Sequence, residues 1–118
     1  MQEISLEQIH QKKSHHTALN DWQIPEGVTI IEGSAFESAE SLTDRIIPIS
    51  VIEIASKAFN RCFSMQKVVF LGTPTTIATT SFNNCTSLAD IYVPWAEGAD
   101  ANAPWGATNA TIHYNSGV

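Results

Sequence analysis

The sequence predicts a β-rich solenoid, built from coils of about 23 residues whose short strands stack in parallel from one coil to the next. Three observations carry this. Phe36, Phe59 and Phe82 recur at one constant interval, and so do Ser41, Ser64 and Ser87. Ile31, Ile54 and Ile77 keep the same interval, as do Leu42, Met65 and Leu88. Ile24-Pro25, Ile47-Pro48 and Val93-Pro94 punctuate successive units, with Phe70-Leu71 standing in once. A fixed period of this length belongs to stacked repeats, and each unit is too short for a four-stranded propeller blade.

The whole chain sets the bounds. At 118 residues it is one domain by size, and 43% hydrophobic content with 15% charged residues supports a core rather than disorder. The net charge of −6 argues against nucleic acid, whose phosphates require a basic face. No apolar run is long enough to span a bilayer as a helix, so membrane insertion is not expected. The opening MQEISLEQIHQKK lacks the basic leader and apolar stretch of a secretory signal. Two cysteines form neither a disulfide framework nor a zinc pattern.

Three segments follow in order: 1–23, an N-terminal cap or mobile segment; 24–95, the repeats; and 96–118, a C-terminal cap. Ser5-Leu-Glu-Gln8 fits a capping box and can start a helix to about Leu19, packed over the first coil through Trp22. Lys13 and His16 interrupt its apolar stripe of Leu6, Ile9 and Leu19, so an extended or mobile segment is the other reading. Within the repeats, L-x-x-I-x-V (Leu88, Ile91, Val93) gives a strand with one buried face, and the following proline ends it because it has no N–H for a ladder. V-x-x-I (Val28 with Ile31, Val51 with Ile54) gives a second extended stretch. The Ala-Phe segment turns the chain back with phenylalanine inside. After the repeats, Pro94, Trp95, Pro104, Trp105 and Tyr114 form a natural lid, and 110–114 can add one last strand.

The lines IPISVIEIASKAFNRCFSM and TSFNNCTSLADIYVPW resemble the BspA-type leucine-rich repeat, the 23-residue class found in many bacterial surface and secreted proteins. The tail VPWAEGADANAPWGATNATIHY is similar to the C-terminal ends that follow such repeats in bacterial and phage-encoded members. The resemblance implies leucine-rich-repeat coils, an aromatic C-terminal cap at a natural terminus, and binding of proteins or surfaces rather than a reaction. Such proteins are often secreted or on the cell surface. The absence of a leader here reads instead as cytoplasmic or phage-associated, or as a signal cut away.

One position breaks the pattern. Arg45 stands where Val68 and Ile91 point inward, and an unpaired buried guanidinium is costly. Either its stem packs while the head swings to the coil end towards Glu53 or Glu32, or the strand slips by one and turns Ile46 inward.

The outward positions of the strands should form columns: Thr43, Gln66, Ala89; then Asp44, Lys67, Asp90; then Ile46, Val69, Tyr92. An apolar and aromatic column beside charged residues suits a protein contact. The competing reading is that Ile, Val and Tyr are simply good strand formers. Partner-binding residues are therefore placed at Ile46, Val69, Tyr92, Asp44, Lys67 and Asp90. The alternating charges of the middle column favour the stack.

Other constellations yield little. His10, His15 and His16 diverge on a helix and lack cysteine or carboxylate partners, so no metal site is assigned. Cys62 and Cys85 stack one coil apart; they read as buried thiols packed as small apolar groups, with a disulfide as the alternative. His113 reads as surface or capping. Asn84 and Asn109 match the glycosylation acceptor pattern, without weight in a bacterial protein. No nucleophile elbow, phosphate loop or dinucleotide fingerprint occurs, so no cofactor is expected. The reading is a non-enzymatic interaction module with a protein partner, and self-association is a further use of the same face. The alternatives are a phage-encoded inhibitor of a host protein, a virion or cell-surface adhesion part, or a structural spacer.

Overall fold

The computed structural model describes residues 2–4, 24–39, 42–100 and 102–116. The helix read over residues 5–19, its contact through Trp22 and the histidines at 10, 15 and 16 lie outside the described residues. Within them the chain forms eight strands and no helix. These are β1 (Gln2–Ile4), β2 (Val28–Ile31), β3 (Asp44–Ile47), β4 (Glu53–Ile54), β5 (Lys67–Phe70), β6 (Thr76–Ile77), β7 (Asp90–Tyr92) and β8 (Thr111–His113).

The strands make two parallel sheets. Sheet A runs β1-β2-β4-β6 and sheet B runs β3-β5-β7-β8. Coils alternate between the sheets, so each turn of chain adds one strand to each. Register follows the repeat: Ile31 pairs with Ile54 and Ile54 with Ile77 in sheet A, while Val68 pairs with Ile91 in sheet B. β3 stops at Ile47, where Pro48 removes the donor a further rung needs. β8 falls within the run 110–114 read as a strand. It sets Ile112 beside Ile91, so the last coil is shorter than the repeat that precedes it.

The core is a set of vertical columns. Phe36 and Phe59 stack with centroids 4.8 Å apart and planes 2° from parallel, and Phe59 and Phe82 follow at 5.2 Å. These separations match the spacing of hydrogen-bonded strands, about 4.8 Å, because the coils rise by one strand each. Ala39, Cys62 and Cys85 form a column of small buried residues. The two cysteines are not joined in a disulfide, and each thiol donates to the coil before it: Cys62 Sγ to the Phe36 carbonyl at 3.1 Å, Cys85 Sγ to that of Phe59 at 3.0 Å. Trp105, fully buried, lies against Phe82, Phe70 and Trp95.

The turns that close each coil also repeat. Ser38, Arg61 and Asn84 adopt left-handed backbone at φ 60°, 63° and 60°. For a residue with a Cβ this costs roughly 1 kcal/mol or more. Hydrogen bonds between coils offset it: the Ser38 amide donates to the Asn60 carbonyl at 2.8 Å and that of Arg61 to Asn83 at 2.9 Å. Side chains reinforce the same edge, with Asn60 Nδ2 donating to Glu37 Oε2 at 2.6 Å and Asn84 Nδ2 to Asn60 Oδ1 at 3.1 Å.

Arg45 keeps the register of its strand, paired with Val68, while Ile46 pairs with Val69 and stays outside. The slipped alternative is therefore overturned, because Ile47 remains locked into the core column beside Phe70. Arg45 itself points inward and is only 1% exposed. Its Nε donates to the Asp44 carbonyl at 2.9 Å. Burial pushes its pKa below the ordinary value, opposed by the nearby Asp44 carboxylate.

Candidate functional site

Strand alternation in sheet B sends every second side chain outward. β3 reads exposed, buried, exposed, buried from Asp44 to Ile47, and β5 repeats it with Val69 half-buried. Ladder pairing then fixes the columns. Asp44, Lys67 and Asp90 lie side by side and continue to Thr111; Ile46, Val69 and Tyr92 continue to His113. All six residues singled out from the sequence occupy this one outer face. A recess of about 140 Å³ opens between Asp44, Arg45, Ile46, Lys67 and Val69.

The apolar part of the face is uneven. Ile46, on the edge strand β3, is 46% exposed, which leaves much of a large aliphatic side chain in water. Tyr92 is half-buried because its ring stacks on His113, with centroids 4.4 Å apart and planes 14° from parallel. Ile49 and Ile52 are exposed elsewhere at 67% and 46%, but one coil later Gly72 and Thr75 replace them, so they form no column.

The charges are arranged differently from the expected ladder. The ion pair on this face is between His113 Nε2 and Asp90 Oδ1 at 2.8 Å, with side chains 39% and 43% exposed. Lys67 makes no ion pair among the described residues, neither with Asp44 nor with Asp90. Among the described residues the column's charges are thus engaged only at Asp90, through His113, and Lys67 stays clear of both neighbouring carboxylates.

His113 is the residue that sequence reasoning placed apart from this face. Its signal lay in the alternation Thr111-Ile112-His113, which matches Asp90-Ile91-Tyr92 at an interval slightly shorter than the repeat. A second recess, about 250 Å³, lies between Thr73, Thr75, Ile77, Trp95 and Asp100. Trp95 Nε1 is buried and has no hydrogen-bond partner among the described residues. Asp100 is already engaged, accepting from Trp105 Nε1 at 3.0 Å and from the Asn102 amide at 2.9 Å. No group of three or more potential metal ligands gathers among the described residues. No helix among them is long and apolar enough to cross a membrane.

A family model described as "BspA type Leucine rich repeat region (6 copies)" matches residues 7–97. The chain belongs to the BspA-type leucine-rich repeat family. The match begins inside the segment 1–23, where Leu19, Trp22 and Ile24 stand one period before Leu42, Arg45 and Ile47. Comparison with curated proteins and with solved structures returned no match. Leucine-rich repeats of this kind generally mediate protein–protein interaction, and their solenoid is typically a scaffold rather than a catalyst. In this leucine-rich repeat protein the core columns repeat from coil to coil, while the outer face of sheet B changes from Ile46 to Val69 to Tyr92.

Proposed function

We propose that this protein is a non-enzymatic interaction module. It presents the outer face of sheet B, centred on Ile46, Val69 and Tyr92, to a protein partner. Asp44, Lys67 and Asp90 set the polar rim. The observation that carries the reading is Ile46, 46% exposed on the edge strand β3 and continued inward along the same column by Val69. Exposed apolar surface flanked by charge, with a tyrosine beside it, is the composition of a contact patch. Rigidity supports the same reading. The outward residues sit on strands tied coil to coil, so little conformational freedom is lost when a partner docks.

The test is a pull-down from bacterial lysate, comparing the wild type with the Val69→Glu, Tyr92→Glu double variant, with captured proteins identified by mass spectrometry. A partner held by the wild type and lost by the folded variant supports the reading. Equal capture by both moves the site off this face, and no capture from lysate or from a cell-surface extract favours a spacer. The partner's identity also separates an inhibitor of a host protein from an adhesion part.

A further inference from the structure

We propose that sheet B is an isologous interface and that its occupant is a second copy of this chain. The inference rests on sheet B being the binding face and names the partner of that face.

The argument is the order of residues along the stack. Outward columns read Asp44, Lys67, Asp90, Thr111 and Ile46, Val69, Tyr92, His113. Two such faces are brought together by a two-fold axis parallel to the strands and midway between β5 and β7. That axis sets β5 over β7 of the other copy and β3 over β8. Lys67 then meets the partner's Asp90, and Val69 meets the partner's Tyr92. Asp44 meets the partner's Thr111, and Ile46 meets the partner's His113. Each contact occurs twice, as two-fold symmetry requires. No like charges face each other.

Other placements do worse. An axis between β3 and β5 pairs Asp44 with the partner's Lys67 but leaves β7 and β8 overhanging. An axis between β7 and β8 leaves Lys67 unmatched. An axis along the stack sets Lys67 on the partner's Val69. The central axis alone covers all four strands of the sheet and matches the charges. Of the charges that it matches, Lys67 is unspent and Asp90 is engaged through one oxygen only. Lys67 forms no ion pair among the described residues, and Asp90 uses Oδ1 for His113, leaving Oδ2 for a second donor.

The sheet face is small. Four strands about 4.8 Å apart present less than the roughly 800 Å² per partner of a standard interface, so the pairing belongs to the weak, reversible class.

The experiment is sedimentation velocity on the full chain at neutral pH, from about 10 μM to about 1 mM, a range that brackets weak association. The wild type is expected to shift from monomer to dimer with concentration. Lys67→Glu sets glutamate against the partner's Asp90, and Asp90→Lys sets lysine against the partner's Lys67; each alone should weaken the dimer at least tenfold. An equimolar mixture of the two should recover it as a heterodimer, because glutamate then meets lysine and Lys67 meets Asp90. Circular dichroism checks that each variant is folded.

A wild type that stays monomeric throughout overturns the proposal, as does a dimer indifferent to both charge changes or a mixture no better than its components. If a monomeric wild type still captures a foreign protein that the Val69→Glu, Tyr92→Glu variant loses, self-pairing falls while the binding face stands. If it captures none, both fall.

Discussion

Trp105 stands one repeat beyond Phe82 and takes the place of a fourth phenylalanine. Their ring centroids are 6.2 Å apart, and the Trp105 carbonyl accepts the Phe82 amide at 2.9 Å. A similar rung recurs lower down, with the acceptor one residue earlier in its coil: the Phe59 amide donates to Ser81 and the Phe36 amide to Ala58 at 2.8 and 2.7 Å. The aromatic column is therefore both packed and hydrogen-bonded at every coil. Phe59, stacked nearly parallel to a ring on either side where Phe82 meets Trp105 at a tilt, is its most dependent member. Phe59→Ala should cost about 3–5 kcal/mol, since the cavity between two stacked rings cannot collapse without shifting a coil. Urea denaturation followed by circular dichroism measures this, and a loss below about 1 kcal/mol would contradict a rigid column.

Arg45 offers a change in the other direction. It occupies a core column that continues as Val68 and Ile91, and burial weakens its charged form. Arg45→Met keeps most of the volume and removes the desolvated charge. It should leave stability within about 1 kcal/mol of wild type or raise it. A loss above about 2 kcal/mol in the same assay would show that the guanidinium's hydrogen bonds outweigh its desolvation.

Glu37 gives the fold a pH dependence. Its pKa lies below the ordinary 4.5, chiefly through the hydrogen bond from Asn60 and then one from Ser34. A carboxyl lowered in the folded state contributes stability that is complete above its unfolded pKa and is lost as pH falls through the folded value. Wild type should therefore melt above Glu37→Gln at about pH 6, and the difference should shrink as pH falls below the ordinary carboxyl range. Parallel melting curves across that range would remove Glu37 from the account.

Gly106 holds a backbone that side chains resist, at φ 90°, and a Cβ placed there would run into the Asn83 side chain. Gly106→Ala should cost about 2 kcal/mol or more. Adding Asn83→Ala should recover the steric part but not the backbone part. Urea midpoints of the single and double variants separate the two contributions, and full recovery in the double would show that the φ angle carries no strain.

Much of this fold was legible because parallel, in-register coils force equivalent residues onto one another. The interval that lines up Ile31, Ile54 and Ile77 in the sequence is the interval that pairs them in sheet A. The outward columns of Asp44, Lys67, Asp90 and of Ile46, Val69, Tyr92 followed from the same rule. Departures from the period were the places that stayed hidden. β1 pairs with β2 at a longer interval than the repeat, since Gln2 meets Val28 and Ile4 meets Ile31. His113 reached Tyr92 because the last coil is shorter than the others. Arg45 stayed ambiguous because residue type and position made opposite demands, and the neighbouring Ile47 decided between them. The spare charge on Lys67 was invisible for another reason: adjacency of opposite charges in a column does not by itself hold long side chains in contact.

The left-handed turns at Ser38, Arg61 and Asn84 show how little the exterior dictates to the interior. A serine, an arginine and an asparagine all accept the same backbone shape, and at Ser38 and Arg61 the next coil holds it through their amides. Inheritance can therefore rewrite such a surface letter by letter while the grammar beneath it stays unchanged.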